Sequence, residues 1–549
     1  MSKLNSKIFL ILLLITLVGA FFRIYKITEY PIQLNHDEVS QLYDAISIAQ
    51  TGKDIYNNFL PFIFVSINDN KPPFYIYSTV FFYYIFGWQD ITIKATGLIF
   101  GILMIPAVFL FTSRLFKNQQ IGILAALITA VSPFEIFFSR KSFENVPGIV
   151  LMLIGFYFLF KIAKKRNLFI GLFFLGLAMY TYFSHTVIIP LFVGCFLWVY
   201  KSKMVKSSRE LVAPILFWLV VISPLIFLIL THTGSSQRSK DVFIRQDPLL
   251  GKQINFNQNL NPVLNFVLTN KALVDFSFNR YLKQLDPIYI FSNGLNLTNQ
   301  GPIDSGLLLF VELPFLIIGI FSLIRLKDLN KEKILILIWI SLGLIPGGLT
   351  FEEFSPHRTM MVFTMLNIIS AYGLYEFICW IALRRLRLLT KAIIFSSLVS
   401  LLVFNLAYFF HIYFINYAFE KSQGLQYPFK EVAKYIWSEH DNFNQIIFDP
   451  QFGEVTPVIG AAAHYYLAYY GNYPPVNFQK SYRIGQKDRE VLFDKFSIRK
   501  IDWLSDNKLT NVLVIGSPWS IPIRLVPKEK IVKTFYYYDH EIAFYAIKL

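Results

Sequence analysis

The feature that most constrains this chain is a series of long apolar segments separated by polar links. They lie near 7–24, 72–87, 92–113, 120–138, 146–162, 168–184, 186–200, 210–231, 305–324, 333–350, 360–382 and 392–412. A helix needs about 20 apolar residues to cross the ~30 Å hydrocarbon core of a bilayer. Only 16% of the 549 residues are charged, whereas soluble proteins carry about 25%. The sequence therefore predicts a polytopic α-helical membrane protein with about 11–13 helices.

Lysine and arginine are concentrated in alternate links, which predicts their side of the membrane. The basic links are 161–167, 201–209, 325–333 and 384–391. Such links are retained in the cytoplasm, so the N-terminus is predicted to be cytoplasmic and the loops 26–71 and 232–304 to lie outside. The net charge of +16 follows from this bias and gives no reason to expect nucleic-acid binding. We expect a multi-pass protein of a plasma membrane.

One apolar segment does not fit the alternation of basic links. If both 72–87 and 92–113 crossed the membrane, the basic residues Arg114 and Lys117 would lie outside. A helix over 72–87 would be about 24 Å long, shorter than the hydrocarbon core. We therefore predict that 72–87 is a short helix that does not cross.

The composition changes from about residue 417, where the apolar segments end. Helical spacing predicts a helix over 429–440, and β-rich runs predict strands at 445–449, 511–517, 531–538 and 542–549. We predict two domains, a membrane domain over 1–416 and a small extracytoplasmic α/β domain over 417–549. No Walker motif or G-x-G-x-x-G fingerprint is present in the sequence, which weakens any assignment as an ATP-driven pump.

The first outer loop contains the sequence LNHDEVSQLYDA at 34–45. Asn35 is placed to cap a helix that begins at His36, with Glu38 completing a capping box. The apolar residues that follow repeat at helical spacing, and we expect this stripe to lie on the membrane surface; it consists of Val39, Leu42, Tyr43 and Ile46. Capping accounts for Glu38 better than for Asp37.

Ionisable residues at three places on the predicted outer side are the candidate site. Asp37 and Lys71 lie in the first loop; a carboxylate can act as a base, and the lysine either snorkels or binds a lipid phosphate. Arg140 and Glu144 lie in the segment 132–145, where positive charge opposes the usual bias. The alternative for this segment is an ordinary loop with an Arg–Glu pair.

The third place is the segment 350–358, which contains Arg358 and is otherwise explained as a solvated loop. The histidines nearest these clusters are His36, His185 and His357, which we treat as possible substrate-binding residues. No H-E-x-x-H motif occurs in the sequence. The carboxylates could hold Mg²⁺ or Mn²⁺, so no cofactor is certain and a divalent metal is possible.

Several stretches in order along the chain resemble a known family. They are HDEVSQLYDA, NKPPFYIY, IKATGLIFGILMIPAVFLF, SPFEIFFSRKSFEN, LGLAMYTYFSHTVIIPL and IPGGLTFEEFSPHR. This pattern, over roughly 1–415, resembles glycosyltransferase family 39, which includes the dolichyl-phosphate-mannose-protein mannosyltransferases and the aminoarabinose lipid A transferases. Two positions depart from the family pattern, since Lys94 replaces an arginine and Glu144 replaces a frequent aspartate.

The resemblance implies a GT-C fold and an enzyme that moves a sugar from a polyprenyl-phosphate donor to an acceptor on the outer face. It implies that Asp37 is the catalytic carboxylate with Glu38 as its neighbour, and that Lys71 lies near the donor phosphate. Arg140 and Glu144 match the family's second polar cluster. A phosphate leaving group needs charge neutralisation more than protonation, and a single displacement would invert the anomeric carbon. The sugar is unknown, as is the acceptor, whether protein, lipid or glycan.

Two other functions stay open at this stage. An oligosaccharide ligase or polymerase of the same architecture would use a pyrophosphate-linked glycan. A transporter of lipid-linked sugars would carry ionisable residues deep within its spans, whereas most charge here lies at the ends of the apolar segments.

Overall fold

The structure is a computed structural model that describes residues 6–66, 69–161, 164–204, 209–231, 243–296, 301–325, 330–451, 462–484 and 490–549. Parts of the predicted long outer loop, 232–242 and 297–300, and of the basic links, 162–163, 205–208 and 326–329, lie outside these residues. The helices are α1 (Ser6–Ile24), α2 (His36–Thr51), α3 (Pro73–Phe86), α4 (Asp90–Leu115), α5 (Gln119–Val131), α6 (Pro133–Arg140), α7 (Asn145–Leu159), α8 (Lys165–Met179), α9 (Phe183–Met204), α10 (Arg209–Thr231), α11 (Pro248–Asn257), α12 (Pro262–Lys283), α13 (Leu313–Arg325), α14 (Asn330–Gly348), α15 (Met360–Leu383), α16 (Leu388–His411), α17 (Tyr417–Lys421), α18 (Phe429–Glu439), α19 (Ala463–Tyr470), α20 (Pro475–Ser481) and α21 (Trp503–Asp506).

Among the described residues, six helices are long and apolar enough to cross a membrane. They are Ser6–Ile24, Asp90–Leu115, Phe183–Tyr200, Leu211–Leu228, Met360–Leu383 and Leu388–Lys421. Helices α5 and α6 make a seventh span if they are counted together; they are bent by 56° where Pro133 interrupts the backbone hydrogen bonds. The prediction of a multi-pass α-helical membrane protein is confirmed, and the larger count of 11–13 helices stays a prediction.

Helix α3 covers most of the segment that did not fit the predicted alternation. It has 14 residues from Pro73 to Phe86, which gives a length of about 21 Å. This is shorter than the ~30 Å hydrocarbon core, in agreement with the prediction of a short helix.

The chain forms two compact units. The first contains Met1–Tyr25 and Gly97–Tyr413, and the second contains Lys26–Thr96 and Phe414–Leu549. The second unit therefore joins the first predicted outer loop to the C-terminal region, an association with no signal in the sequence. The predicted domain boundary at 416/417 lies close to the point where the second unit resumes.

The first unit is a helical bundle in which small residues allow close packing. Helices α13 and α15 form its most extensive pair. A Cβ atom at Gly373 of α15 would collide with the backbone oxygen of Phe315, and one at Gly319 would collide with the backbone oxygen of Ile369. Because glycine removes this obstacle, the two backbones approach closely, as is common between membrane helices.

Among its described residues, the second unit contains a mixed seven-stranded sheet and a separate hairpin. The sheet strands are β3 (Gln445–Phe448), β4 (Arg483–Ile484), β5 (Val491–Phe493), β6 (Phe496–Ile498), β7 (Val512–Gly516), β8 (Ile531–Tyr536) and β9 (Ile542–Lys548), and the hairpin strands are β1 (Phe64–Ser66) and β2 (Asp69–Lys71). The strand order is β4-β5-β6-β3-β7-β9-β8, with β3 parallel to β6 and β7 and the other pairs antiparallel. The predicted C-terminal α/β fold, with its final hairpin, is confirmed.

The apolar stripe of α2 packs into the core of this second unit. Val39, Leu42, Tyr43 and Ile46 are completely buried, in one cluster with Phe429 and aromatic residues of α19. The prediction that this stripe lies on the membrane surface is therefore wrong. The spacing of apolar residues shows that one helix face is buried, but it does not distinguish lipid from protein as the burying surface.

Candidate functional site

The N-terminus of α2 is capped as the sequence predicts. The side chain of Asn35 accepts a hydrogen bond from the Glu38 backbone N–H at 2.8 Å, and the Glu38 carboxylate accepts one from the Asn35 backbone N–H at 2.9 Å. Glu38 is almost fully buried. The Glu38 carboxylate therefore stabilises the N-terminus of α2. The predicted catalytic role of Glu38 stays a prediction.

Asp37, in the first turn of α2, forms an ion pair with Lys71. Lys71 Nζ lies 2.8 Å from Asp37 Oδ1, and the two side chains are 6% and 38% exposed respectively. The carboxylate is therefore accessible to a molecule in solution, whereas the ammonium is almost enclosed. The helix N-terminus and the lysine both favour the ionised carboxylate.

The β1–β2 hairpin brings Lys71 to this position, although it is far from Asp37 in sequence. Lys71 is the last residue of β2 and pairs with Phe64 in the antiparallel register. Ser66 of β1 donates a hydrogen bond to the Ser40 hydroxyl at 2.6 Å, and Ser40 donates to the Asp37 backbone oxygen at 3.0 Å. The hairpin is thereby fixed to the first turn of α2. Pro72 and Pro73 then turn the chain into α3.

His36 lies beside the same carboxylate. Its Nε2 is 3.6 Å from Asp37 Oδ2. On the other side of the ring, Nδ1 is 3.2 Å from Oε1 of Gln426, which also accepts the His36 backbone N–H at 3.1 Å. Asp37, Lys71 and His36 thus meet at one end of α2, and their predicted catalytic, phosphate-binding and substrate-binding roles stay predictions.

Arg140, in the first unit, is buried among backbone carbonyls. One guanidinium nitrogen donates to the oxygens of Phe22, Arg23 and Tyr25, at 3.2, 2.9 and 2.7 Å, and Nε donates to the Tyr413 hydroxyl at 3.1 Å. These carbonyls lie at the C-terminus of α1, where a cation is stabilising. The contacts favour a structural role, and the predicted part of Arg140 in phosphate binding stays a prediction.

The second and third predicted clusters meet within the first unit. The Asn145 side chain donates a hydrogen bond to the backbone oxygen of His357, and the rings of Phe143 and His357 have centroids 6.3 Å apart. Glu144, the residue before α7, is buried. Segments 132–145 and 350–358, separate in sequence, therefore form one polar region.

Arg358 is paired within this region. Its guanidinium lies 2.9 Å from the carboxylate of Glu352, which is also 3.9 Å from His357 Nε2. Burial opposes ionisation of Glu352, but His357 and Arg358, together with the Ser355 hydroxyl, hold the pKa of this carboxyl below its usual value. An anionic ligand would therefore have to compete with Glu352 for Arg358.

His185 makes contacts of a structural kind. Its Nδ1 lies 3.0 Å from the Thr181 hydroxyl and 3.2 Å from the backbone oxygen of Ala178. A Cβ atom at Gly148 would collide with the imidazole ring. His185 is thus enclosed between helices, and its predicted substrate contact stays a prediction.

Two residues that contribute to these sites carry no signal in the sequence. Gln426 holds His36 from a turn before α18. Arg23 donates to the backbone oxygens of Thr129 and Ala130 at 3.0 Å each, and so caps α5 from within α1. Neither residue lies in a recognisable motif, because each acts through backbone groups that are distant in sequence.

Metal-ligating side chains are not clustered in the part of the chain that the structure describes. No group of three or more His, Cys, Asp or Glu residues there could hold a metal ion. The divalent metal that the sequence allowed stays a prediction.

These features define a class, a multi-pass membrane protein with the GT-C fold and a C-terminal α/β region. Residues 70–227 match the family model described as dolichyl-phosphate-mannose-protein mannosyltransferase. The predicted resemblance to the glycosyltransferase family 39 group is thereby confirmed. A comparison of the sequence with curated proteins gave no match.

Particular solved structures share the fold at low sequence identity. ArnT from Cupriavidus metallidurans bound to undecaprenyl phosphate is 13% identical with a TM-score of 0.53, over 98% of this chain and 97% of that chain. The Archaeoglobus fulgidus oligosaccharyltransferase in the apo form is 13% identical with a TM-score of 0.50, over 86% of this chain and 64% of that chain. The same oligosaccharyltransferase tethered with an acceptor peptide containing the NVT sequon is 13% identical with a TM-score of 0.52, over 99% of this chain and 74% of that chain. This chain thus spans about 64% of the length of the apo oligosaccharyltransferase.

Proposed function

We propose that this protein is an integral-membrane glycosyltransferase that moves a sugar from a polyprenyl-phosphate donor to an acceptor on the outer face of a plasma membrane. The observation that carries the proposal is the accessible Asp37 carboxylate, which is held at a helix N-terminus by an enclosed lysine 2.8 Å away. The GT-C fold and the family match of residues 70–227 support it. The structure of ArnT with undecaprenyl phosphate supports the choice of a polyprenyl phosphate as the carrier.

In the proposed reaction, an acceptor O–H or N–H attacks the anomeric carbon of the donor sugar. The new bond joins the acceptor atom to that carbon, the bond from the carbon to the phosphate oxygen breaks, and the configuration inverts. Asp37 accepts the acceptor's proton, and the phosphate leaves as an anion, so that no acid partner is required. Neutralising the phosphate charge supplies most of the stabilisation.

Lys71 has two successive partners in this proposal. Before the donor binds, its ammonium neutralises Asp37 at 2.8 Å and so weakens the carboxylate as a base. A donor phosphodiester carries one negative charge and gains a second as its bond to the sugar breaks, so it attracts the same ammonium during the reaction. When Lys71 turns to the phosphate, Asp37 loses its counter-ion and becomes more basic at the moment when the acceptor must be deprotonated. Arg358, which the structure pairs with Glu352 in the first unit, stays a predicted phosphate ligand.

The test is transfer by membranes that contain the variants Asp37→Asn and Lys71→Met, given undecaprenyl phosphate carrying a panel of radiolabelled sugars. We expect Asp37→Asn to lower the rate by about 10²–10⁴-fold, the usual range for losing a general base. The matched controls are Glu29→Gln, a carboxylate of the same segment that is 59% exposed in an ion pair with Lys26, and Lys53→Met, an exposed lysine. Parental rates in both site variants would disprove the assignment.

A second candidate is an oligosaccharide transferase that uses a pyrophosphate-linked glycan. The similarity to the oligosaccharyltransferase tethered with an acceptor peptide favours it. Mass spectrometry of the lipid donor consumed by the membranes separates the two candidates, because one donor carries a single phosphate and the other a pyrophosphate. Counterflow of labelled lipid in proteoliposomes without a transfer product would instead indicate a transporter.

A further inference from the structure

Gln426 adopts a backbone conformation that a glutamine rarely takes. Its φ angle is +57°, in the left-handed region that disfavours residues with a Cβ atom. Hydrogen bonds hold the turn, since the Gln426 N–H donates to Gln423 O at 3.0 Å and the Phe429 N–H donates to Gln426 O at 3.1 Å. Such a conformation is unfavourable for a residue with a Cβ atom and persists where the surroundings require it.

This conformation delivers the side chain of Gln426 to the N-terminus of α2. The side chain is almost fully buried, with the residue 6% exposed. Its Oε1 accepts the His36 backbone N–H at 3.1 Å and lies 3.2 Å from His36 Nδ1. The Tyr466 hydroxyl, which donates to the Leu34 backbone oxygen at 2.6 Å, lies 3.2 Å from the same Oε1. A residue of the C-terminal region therefore caps the helix that carries Asp37.

The contact also fixes the orientation and tautomer of the His36 ring. A backbone N–H can only donate, so the Gln426 atom that it meets is the amide oxygen. The same oxygen can only accept from the ring, which places a proton on Nδ1. The other ring nitrogen, Nε2, then faces Asp37 Oδ2 at 3.6 Å.

We propose that Gln426 is a positioning residue that acts through His36 to hold the Asp37 carboxylate in its working orientation, an inference that rests on the function proposed above. The C-terminal region thereby takes part in the reaction without contacting the reacting atoms.

Three variants test the proposal in membranes supplied with undecaprenyl phosphate carrying a radiolabelled sugar. Gln426→Leu removes the acceptor, and we expect kcat to fall about fivefold to tenfold, as the net loss of one hydrogen bond implies, with an unchanged KM for the lipid. Gln426→Glu keeps the acceptor and is expected to restore most of kcat.

The third variant, Gln479→Leu, is the matched control for losing a half-buried amide that bonds the same helix from the C-terminal region. Gln479 donates to Ser47 Oγ at 3.0 Å and to the Asp54 backbone oxygen at 2.9 Å, near the opposite end of α2. We expect it to lower the melting temperature as much as Gln426→Leu does and to leave kcat unchanged. A parental kcat in Gln426→Leu, or an equal loss in Gln479→Leu, would overturn the positioning role.

A readout that does not depend on transfer separates this inference from the proposed function. The rate of His36 modification by diethyl pyrocarbonate at one fixed pH, followed by peptide mass spectrometry, reports how firmly the ring is held. Gln426→Leu should raise this rate several-fold, because the ring loses the contact at Nδ1, and an unchanged rate would contradict the contact. If Asp37→Asn retains transfer while Gln426→Leu raises the modification rate, the proposed function fails and the Gln426–His36 contact stands.

Discussion

A double-mutant cycle on Asp37 and Lys71 tests the ion pair on which the proposed site is built. At 2.8 Å, the gross Coulomb attraction in an effective dielectric of about 20 is roughly 6 kcal/mol. Enclosing the lysine opposes this gain, and water reaches the 38% exposed carboxylate, so that a coupling of about 1–3 kcal/mol is the expected net value. Asp37→Asn, Lys71→Met and the double variant give this coupling from their thermal unfolding in detergent.

The expected signal is non-additive loss of melting temperature. In a domain of the size of the second unit, 1 kcal/mol corresponds to about 2–4 °C in melting temperature. The melting temperature of the double variant should therefore fall by several degrees less than the sum of the two single falls. Lys26 and Glu29 provide the control cycle, because this pair has a similar distance of 3.2 Å but side chains that are 42% and 59% exposed, and we expect a coupling below about 0.5 kcal/mol. Equal coupling in the two cycles would refute the reasoning.

Three further predictions concern the stability of the two units. Phe429→Ala removes a ring whose centroid is 5.1 Å from that of Tyr466 and should cost about 3–5 kcal/mol, measured as a lower melting temperature and faster proteolysis of the C-terminal region. Burial lowers the pKa of His464 to about 3, so the stability that its neutral ring contributes is complete above the unfolded pKa of about 6.5 and is lost as pH falls toward 3. Relative to His464→Phe, the free energy of unfolding of the parent should fall by about 2 kcal/mol between pH 7 and 5. Melting temperatures that change with pH in parallel in the two proteins would contradict this. Arg140→Lys should destabilise the first unit by about 2 kcal/mol, because one lysine ammonium cannot bond both the backbone carbonyls and the Tyr413 hydroxyl. The affinity for undecaprenyl phosphate should change less than twofold. A large loss of that affinity would instead support Arg140 as a phosphate ligand.

Local interactions explain why much of the fold was predictable. The capping box at Asn35 joins residues three apart, and the final β8–β9 hairpin has its turn between adjacent strands. In both cases the partners are close in sequence, so that residue type and spacing are sufficient to indicate the structure. The resemblance to the family over residues 70–227 could also be recognised without the structure, because it depends on the order of residue types along the chain.

The amino-acid sequence by itself determined the membrane class, because segment length and hydropathy are set by the thickness of the bilayer whatever the contacts between helices. It also determined that one face of α2 is buried. Only the tertiary structure decided that this face packs against the C-terminal region, that Lys71 meets Asp37 and that Gln426 holds His36. Those contacts join residues that are distant along the chain, and their geometry depends on how hairpins and turns close, which residue spacing does not specify.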